Sequence, residues 1–217
     1  MNKKPKYPKL IQDHEGSYLF ILPDKSLSQD FFWAENFVGN HALVIAKRFG
    51  KHQYLDLKGY LSDEYSYASR YSCGYGLVQK DDGGKYQYRD SYGDLSEEFY
   101  YAKEYEDGYG IVQRDKNSPK EYRDILGNLS RNRTMIGDMA YQYYKGKLTM
   151  GDLPDECFLN KKFFKLMYLV EAVNSKNEAE YYGDEDAQEL FADSIQYMYN
   201  RRYAALVSKG ELDYSQD

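Results

Sequence analysis

The chain is poor in the residues that would announce a chemistry. Its two cysteines, Cys73 and Cys157, are too few for a disulfide framework and form no CxxC metal pair, so they read as small apolar side chains. The three histidines, His14, His41 and His52, include no ligand-like pair. No long apolar run exists. The basic start "MNKKPKYPK" leads only to "YLFIL", too short for a signal-peptide core or a membrane span, and the expectation is a protein of the cytoplasm. Basic residues are the minority, 29 against 35 acidic, and a formal charge of -6 repels phosphate backbones and anionic headgroups. Direct nucleic-acid or membrane binding is therefore not expected. There is no GxSxG and no Cys–His context of a known protease, and "GGKYQY" lacks the Ser or Thr and the helix of a phosphate loop. These gaps favour a protein that is not an enzyme and that takes no cofactor and no metal.

Tyrosine is what the chain has in excess, 26 residues of 217. Such a bias comes from a repeated unit or from an aromatic binding face, and here the repeat is plain. Leu27, Leu61, Leu95 and Leu129 recur every 34 residues, each followed by a serine. The same step carries Phe20 to Tyr54, Tyr88 and Tyr122, Trp33 to Tyr67 and Tyr101, Phe37 to Tyr71 and Tyr105, and Val44 to Val78 and Val112. Three copies begin at Gly16, Gly50 and Gly84, and a fourth begins near residue 118 and fades after Ser130.

A period of 34 residues also suits helical hairpins, so residue type must decide. Glycines 83, 84, 93, 108 and 110 fall within a single period and would each cost about 1 kcal/mol inside a helix. Tyr86 and Tyr88 flank Gln87, and Phe99 and Tyr101 flank Tyr100, which is the alternation of half-buried strands. "YGLVQ" and "YGIVQ" supply a third strand. "DLKG", "DSYG" and "DILG" place Asp first and Gly fourth in a tight turn, and that turn accounts for the Asp56, Asp90 and Asp124 ladder better than calcium does. Each copy is read as about three short strands whose apolar side is covered by the next copy. The expected fold is α+β: an open antiparallel β-repeat array over residues 16–131, an edge-capping arm over 1–15, and a helical domain over 132–217 that acts as a cap.

The unit resembles the bacterial WG-repeat family, whose pattern runs aromatic, Ala, aromatic, Gly, Val, then KWGYID, then Gly. Tyr101, Ala102, Tyr105, Gly108 and Val112 match its first part, and Lys85, Tyr86, Tyr88, Asp90 and Gly93 its second. Gln87 stands where the family has the Gly of its name, and Arg89 where it has an apolar residue. The resemblance implies an interaction or scaffold role and brings no catalytic residues.

After Ser130 the apolar spacing becomes helical. "TMIGDMAYQYYKGK" places Met135, Ile136, Met139 and Tyr143 on one face. Phe163, Phe164, Met167, Val170 and Val173 or Leu166 give a second helix. Asp184 caps a third, with Ala187, Leu190, Phe191, Ile195, Met198 and Leu206 as its stripe and Gly210 as its stop. Residues 137–179 also bear a weak resemblance to the Sel-like helical-repeat family.

His41 and His52 occupy the positions of Tyr75 and Tyr86 and read as packing residues. The acidic pairs Asp63–Glu64 and Glu97–Glu98 cannot oppose one another across a sugar, because neighbours in a strand point to opposite faces, and they read as a solvated edge. Tyr67, Tyr88, Tyr101 and Tyr122 are expected in the core. Tyr75, Tyr92, Tyr100 and Tyr109 lie on the other phase or in loops and are the candidate binding residues. Tyrosine gives contact area at low entropic cost, so the first expectation is a protein partner. An acidic inhibitor or immunity protein blocking a basic target site is the second, and a carbohydrate-binding aromatic face the third.

Overall fold

The computed structural model describes residues 8–181 and 183–211. Two compact units divide it, residues 1–123 and 124–217.

In the first unit the strand pairings up to Gln113 are antiparallel, and the sheets are short because each is built around a hairpin. β1 (Lys9–Gln12), within the expected arm, pairs with β2 (Tyr18–Ile21), while residues 1–7 of that arm lie outside the described residues. β3 (Trp33–Ala34), β4 (His41–Ile45) and β5 (His52–Asp56) form the next sheet in that order. β6 (Tyr67–Ala68), β7 (Tyr75–Gln79) and β8 (Tyr86–Asp90) form its repeat in identical register, Leu43 facing Tyr54 as Leu77 faces Tyr88. β9 (Tyr101–Ala102), β10 (Tyr109–Gln113), β11 (Glu121–Asp124) and β12 (Leu129–Ser130) complete the series. The sheets are thus offset from the copies read in the sequence: each takes the second and third strands of one copy and the first strand of the next.

The repeated Leu-Ser explains both this offset and the brevity of the strands. After the Asp56–Gly59 turn the chain returns along β5, bridging Leu55 to Leu61 and His52 to Tyr65. Midway, the Ser62 hydroxyl accepts the Tyr54 N–H at 2.9 Å and donates to the Asp63 carbonyl at 2.8 Å. A side chain has taken the place of a backbone partner, so the ladder is satisfied yet interrupted. The chain is then free to leave this sheet and start the next as Tyr67–Ala68. Ser28 and Ser96 make the same pair of bonds for Phe20 and Tyr88.

The turns follow the sequence expectation. The Asp56 carboxylate accepts N–H bonds from Lys58 and Tyr60, and Gly59 at φ +89° donates to the Asp56 carbonyl. Asp90 does the same with Tyr92, Asp94 and Gly93. In the second unit Asp124 engages Leu126, Asn128 and Gly127 in the same way.

Besides β12 and a short 3-10 turn (Met150–Asp152), the second unit holds α1 (Met135–Tyr144), α2 (Asp155–Leu159), α3 (Lys161–Tyr181) and α4 (Asp184–Ser208). Thr134 caps α1 through Gly137, and Gly146 and Gly210, both in the left-handed region, close α1 and α4 with paired bonds to the last turn. α3 packs against α4, and the short α2 packs against both, burying Cys157 and Phe158. No periodicity in the sequence had marked α2. Several expected stripe residues face solvent instead, namely Met135, Val173 and Leu190. On α1 the buried face runs through Gly137, Ala140 and Tyr143, one position round from the expected one, because small residues let the helix approach α3 closely. Gly183 rather than Asp184 is the cap residue of α4, with Asp184 in its first turn. Arg201 ties α4 to α2, pairing with Asp155 at 2.8 Å and lying over the Phe158 ring.

Candidate interaction surface

The repeated aromatic residues build one ring cluster per copy. Tyr54 meets Tyr71 edge-on and Tyr65 at a tilt, and Tyr88 meets Phe99 and Tyr105 with almost the same spacings, 4.8 Å for Tyr54–Tyr71 and 4.9 Å for Tyr88–Tyr105. Phe20 takes this place in the first copy beside Phe31 and Phe37. His41 stacks flat on Tyr71 at 4.7 Å as Tyr75 stacks on Tyr105 at 4.9 Å, so the histidine is a packing variant of the tyrosine. Burying a ring of this size contributes roughly 1.5–3 kcal/mol, and the edge-on contacts add to it.

Four of the buried phenols bind within these clusters. The Tyr54 hydroxyl donates to the Ser69 carbonyl at 2.6 Å, the Tyr88 hydroxyl donates to the Lys103 carbonyl, and the Tyr71 hydroxyl donates to the Asp90 carbonyl at 2.8 Å. Arg89 donates to the Tyr71 hydroxyl and Arg123 to the Tyr105 hydroxyl, both at 2.5 Å. The Arg89 guanidinium lies over the Tyr54 ring and that of Arg123 over Tyr75 and Tyr88, at 5.2–5.3 Å. The arginine at the apolar position of the WG-like pattern is therefore the lid of a ring cluster, where its charge is held by π faces and phenol oxygens. Burial pushes the Tyr71 phenol up to about 12, and it drives those of Tyr54, Tyr88 and Tyr105 up as well. Burial first, and then the Arg89 charge, bring His41 down to about 4. At neutral pH these groups are all fixed in their packing forms.

The four candidate tyrosines therefore divide. Tyr109 is buried edge-on against Tyr122, and Tyr75 is half-buried between Tyr105 and Arg123; neither forms part of an open face. The alternate phase of the strand, read as outward-facing, is covered here by the ring of the following copy. Tyr92, at the tip of a turn, and Tyr100, beside β9, are exposed. Tyr67, expected in the core, is 37% exposed and lies on the rim of a cleft. Cys73, expected as a packing residue, is half-buried in a turn at φ +52°, where Gly39 stands one copy earlier.

That cleft, of roughly 610 Å³, lies between the β6–β8 sheet and the segment that follows β9, and is lined by Tyr67, Leu77, Tyr86, Lys103, Glu104 and Glu106. Tyr67 and Tyr86 stand edge to face at 6.2 Å, and the Tyr67 hydroxyl donates to Glu104 Oε1 at 3.3 Å. Burial and then the Glu104 charge raise the Tyr67 phenol. Neither Glu104 nor Glu106 figures among the ion pairs of the described residues. Sequence reasoning passed over this group. The signal available was a change of charge in register: positions 104 and 106 are acidic here, whereas one copy earlier they are Arg70 and Ser72.

No family model matches the chain, and no curated protein does. Two solved structures are similar to part of it. One is a streptogramin B lyase, 11% identical over 56% of this chain and 52% of that one, with a TM-score of 0.28. The other is the selenomethionine-substituted virginiamycin B lyase from Staphylococcus aureus, 10% identical over 62% and 57%, also at 0.28. The chain spans little more than half the length of either protein. A likeness of this size decides neither fold nor chemistry.

Proposed function

We propose that the chain is a non-catalytic protein-binding module. The observation that carries this reading is that large apolar side chains are exposed at the same positions of the first and third copies, Leu27 with Leu95 and Phe32 with Tyr100, where the second copy has the half-buried Leu61 and Ser66. Single exposed apolar residues need no explanation, but recurrence in register places them in equivalent settings along the array. Tyr92, Glu97 and Glu98 lie exposed in the third of these copies, and Asp63 and Glu64 in the copy between. The buried phenols, turn aspartates and arginines are engaged in packing, which leaves this face as the part of the repeat without an internal role. An interaction role is also what the WG-like pattern implies.

The test is quantitative affinity capture from the source cell on the immobilised full chain and on a Leu95→Ser/Tyr100→Ser variant, with circular dichroism to verify that the fold is unchanged. A protein partner whose recovery falls by about tenfold or more on the variant supports the reading, since apolar anchors carry most interface energy. Recovery of the same proteins in equal amounts on both would overturn it.

A further inference from the structure

The cleft differs from the apolar row in kind: it is aromatic on one side and anionic on the other. We propose that it takes a cationic side chain, a lysine or arginine projected by the partner protein, and this rests on the protein-binding reading above. Tyr67 and Tyr86 present two rings set nearly at right angles, 82° between planes, and both line the cleft. A positive charge over a ring face is attracted by the ring's quadrupole. Glu104 is anchored at this corner by the Tyr67 hydroxyl, and Glu106 lies two residues further along the same segment. The floor is Leu77, which suits the methylene stem of a long basic side chain.

Comparison between copies separates what the fold requires from what it leaves free. At the ring positions, Tyr67 and Tyr86 correspond to Trp33 and His52 one copy earlier and to Tyr101 and Lys120 one copy later, where the Lys120 ammonium lies over the Tyr101 ring at 4.7 Å, and Leu77 corresponds to Leu43 and Ile111. At the charged positions, Glu104 corresponds to Arg70, which pairs with Glu35 at 3.8 Å, and Glu106 corresponds to Ser72, whose hydroxyl donates to the Tyr105 carbonyl at 2.7 Å. The same backbone accepts a cation and a neutral residue at these sites. The pair of carboxylates is therefore not imposed by the architecture, and it sets the sign of the charge that the cleft accepts. Lys103, exposed on the rim, is the single opposing charge in the lining.

The experiment follows tyrosine aromatic signals of the full chain by NMR, with Tyr67 and Tyr86 assigned from single Tyr→Phe variants. The probes are Nα-acetyl-trimethyllysine methylamide, Nα-acetyl-arginine methylamide and the neutral Nα-acetyl-norleucine methylamide. The expected result is a saturable shift of Tyr67 and Tyr86 with either cation and none with norleucine. Glu104→Gln should weaken the cations about three- to tenfold at low salt, and Lys103→Gln should strengthen them, as a local charge effect requires. Equal response to norleucine, shifts spread over all tyrosines, or affinities unchanged in Glu104→Gln would each overturn the proposal. The two readings fail separately: partner capture that survives Glu104→Gln but is lost in Leu95→Ser/Tyr100→Ser removes the cleft and keeps the binding module.

Discussion

Glycine at position 76 is the clearest case of one residue answering to another on the neighbouring sheet. A Cβ there would stand 2.2 Å from the Tyr54 hydroxyl, and a Cβ on Gly110 would stand 2.2 Å from that of Tyr88. In the first copy the ring is Phe20, without a hydroxyl, and the equivalent position is Ala42, packed in the same cluster. The chain thus contains both solutions, Tyr with Gly and Phe with Ala. Gly76→Ala is expected to destabilise by about 1–3 kcal/mol through overpacking, and Tyr54→Phe by about 1 kcal/mol through the lost bond to Ser69. The double variant recreates the first copy and should be more stable than the sum of the two losses by about 1 kcal/mol or more in urea unfolding. Strict additivity would mean that the contact is not the reason for the glycine. The tyrosine and glycine ladders could be read from the sequence separately. Their pairing could not, because the partners of each pair lie on different sheets and meet only when one sheet packs on the next.

At the scale of the element, the tight turns carry local strain that the repeat itself exposes. Phe49 adopts φ +61°, a left-handed conformation unfavourable for an L-residue with a bulky side chain, while the next copy has Gly83 there at φ +69°. Its ring is 93% exposed, with Arg48 over it, so packing offsets little of the strain. Phe49→Gly should therefore raise stability by about 0.5–1 kcal/mol despite the added freedom of the unfolded chain, and a lower urea midpoint would contradict this. The three strands per copy, the Asp-x-x-Gly turns and the helical start after residue 130 were legible because each rests on a local pattern of alternation, turn chemistry or capping. The grouping of strands into sheets was not. It depends on the Ser62 and Ser96 hydroxyls displacing a backbone partner, and a serine in a sequence does not announce which N–H it will satisfy. Helix α2 was missed for a related reason, since a segment of five residues is too short to show a period and is held by Arg201 from a distant part of the chain.

For the whole molecule, the ring clusters make the first unit sensitive to alkali. The folded-state phenols of Tyr54, Tyr71, Tyr88 and Tyr105 are raised above the ordinary value of 10, with Tyr71 at about 12. The folded state thus holds these protons more tightly than the unfolded chain does. Their contribution is complete below about pH 10 and is lost as pH rises towards and beyond 12. Tyrosinate absorbance should accordingly show a late, steep step from these buried residues that coincides with loss of the β signal in circular dichroism. A single smooth titration near pH 10 with the sheets intact would show that the rings are not sequestered.

The sequence by itself determined the repeat, its β character, the turns and the helical nature of the rest, because each of these follows from spacing within a few residues or from a fixed period. It also identified tyrosine as the dominant material. Only the tertiary structure decided which tyrosines face inward, for burial of Tyr75 and Tyr109 depends on rings and arginines supplied by neighbouring copies, while Tyr92 and Tyr100 have no such cover. It alone brought Tyr67, Tyr86, Glu104 and Glu106 to one cleft, since residues from separate strands converge through packing, which a one-dimensional pattern does not record.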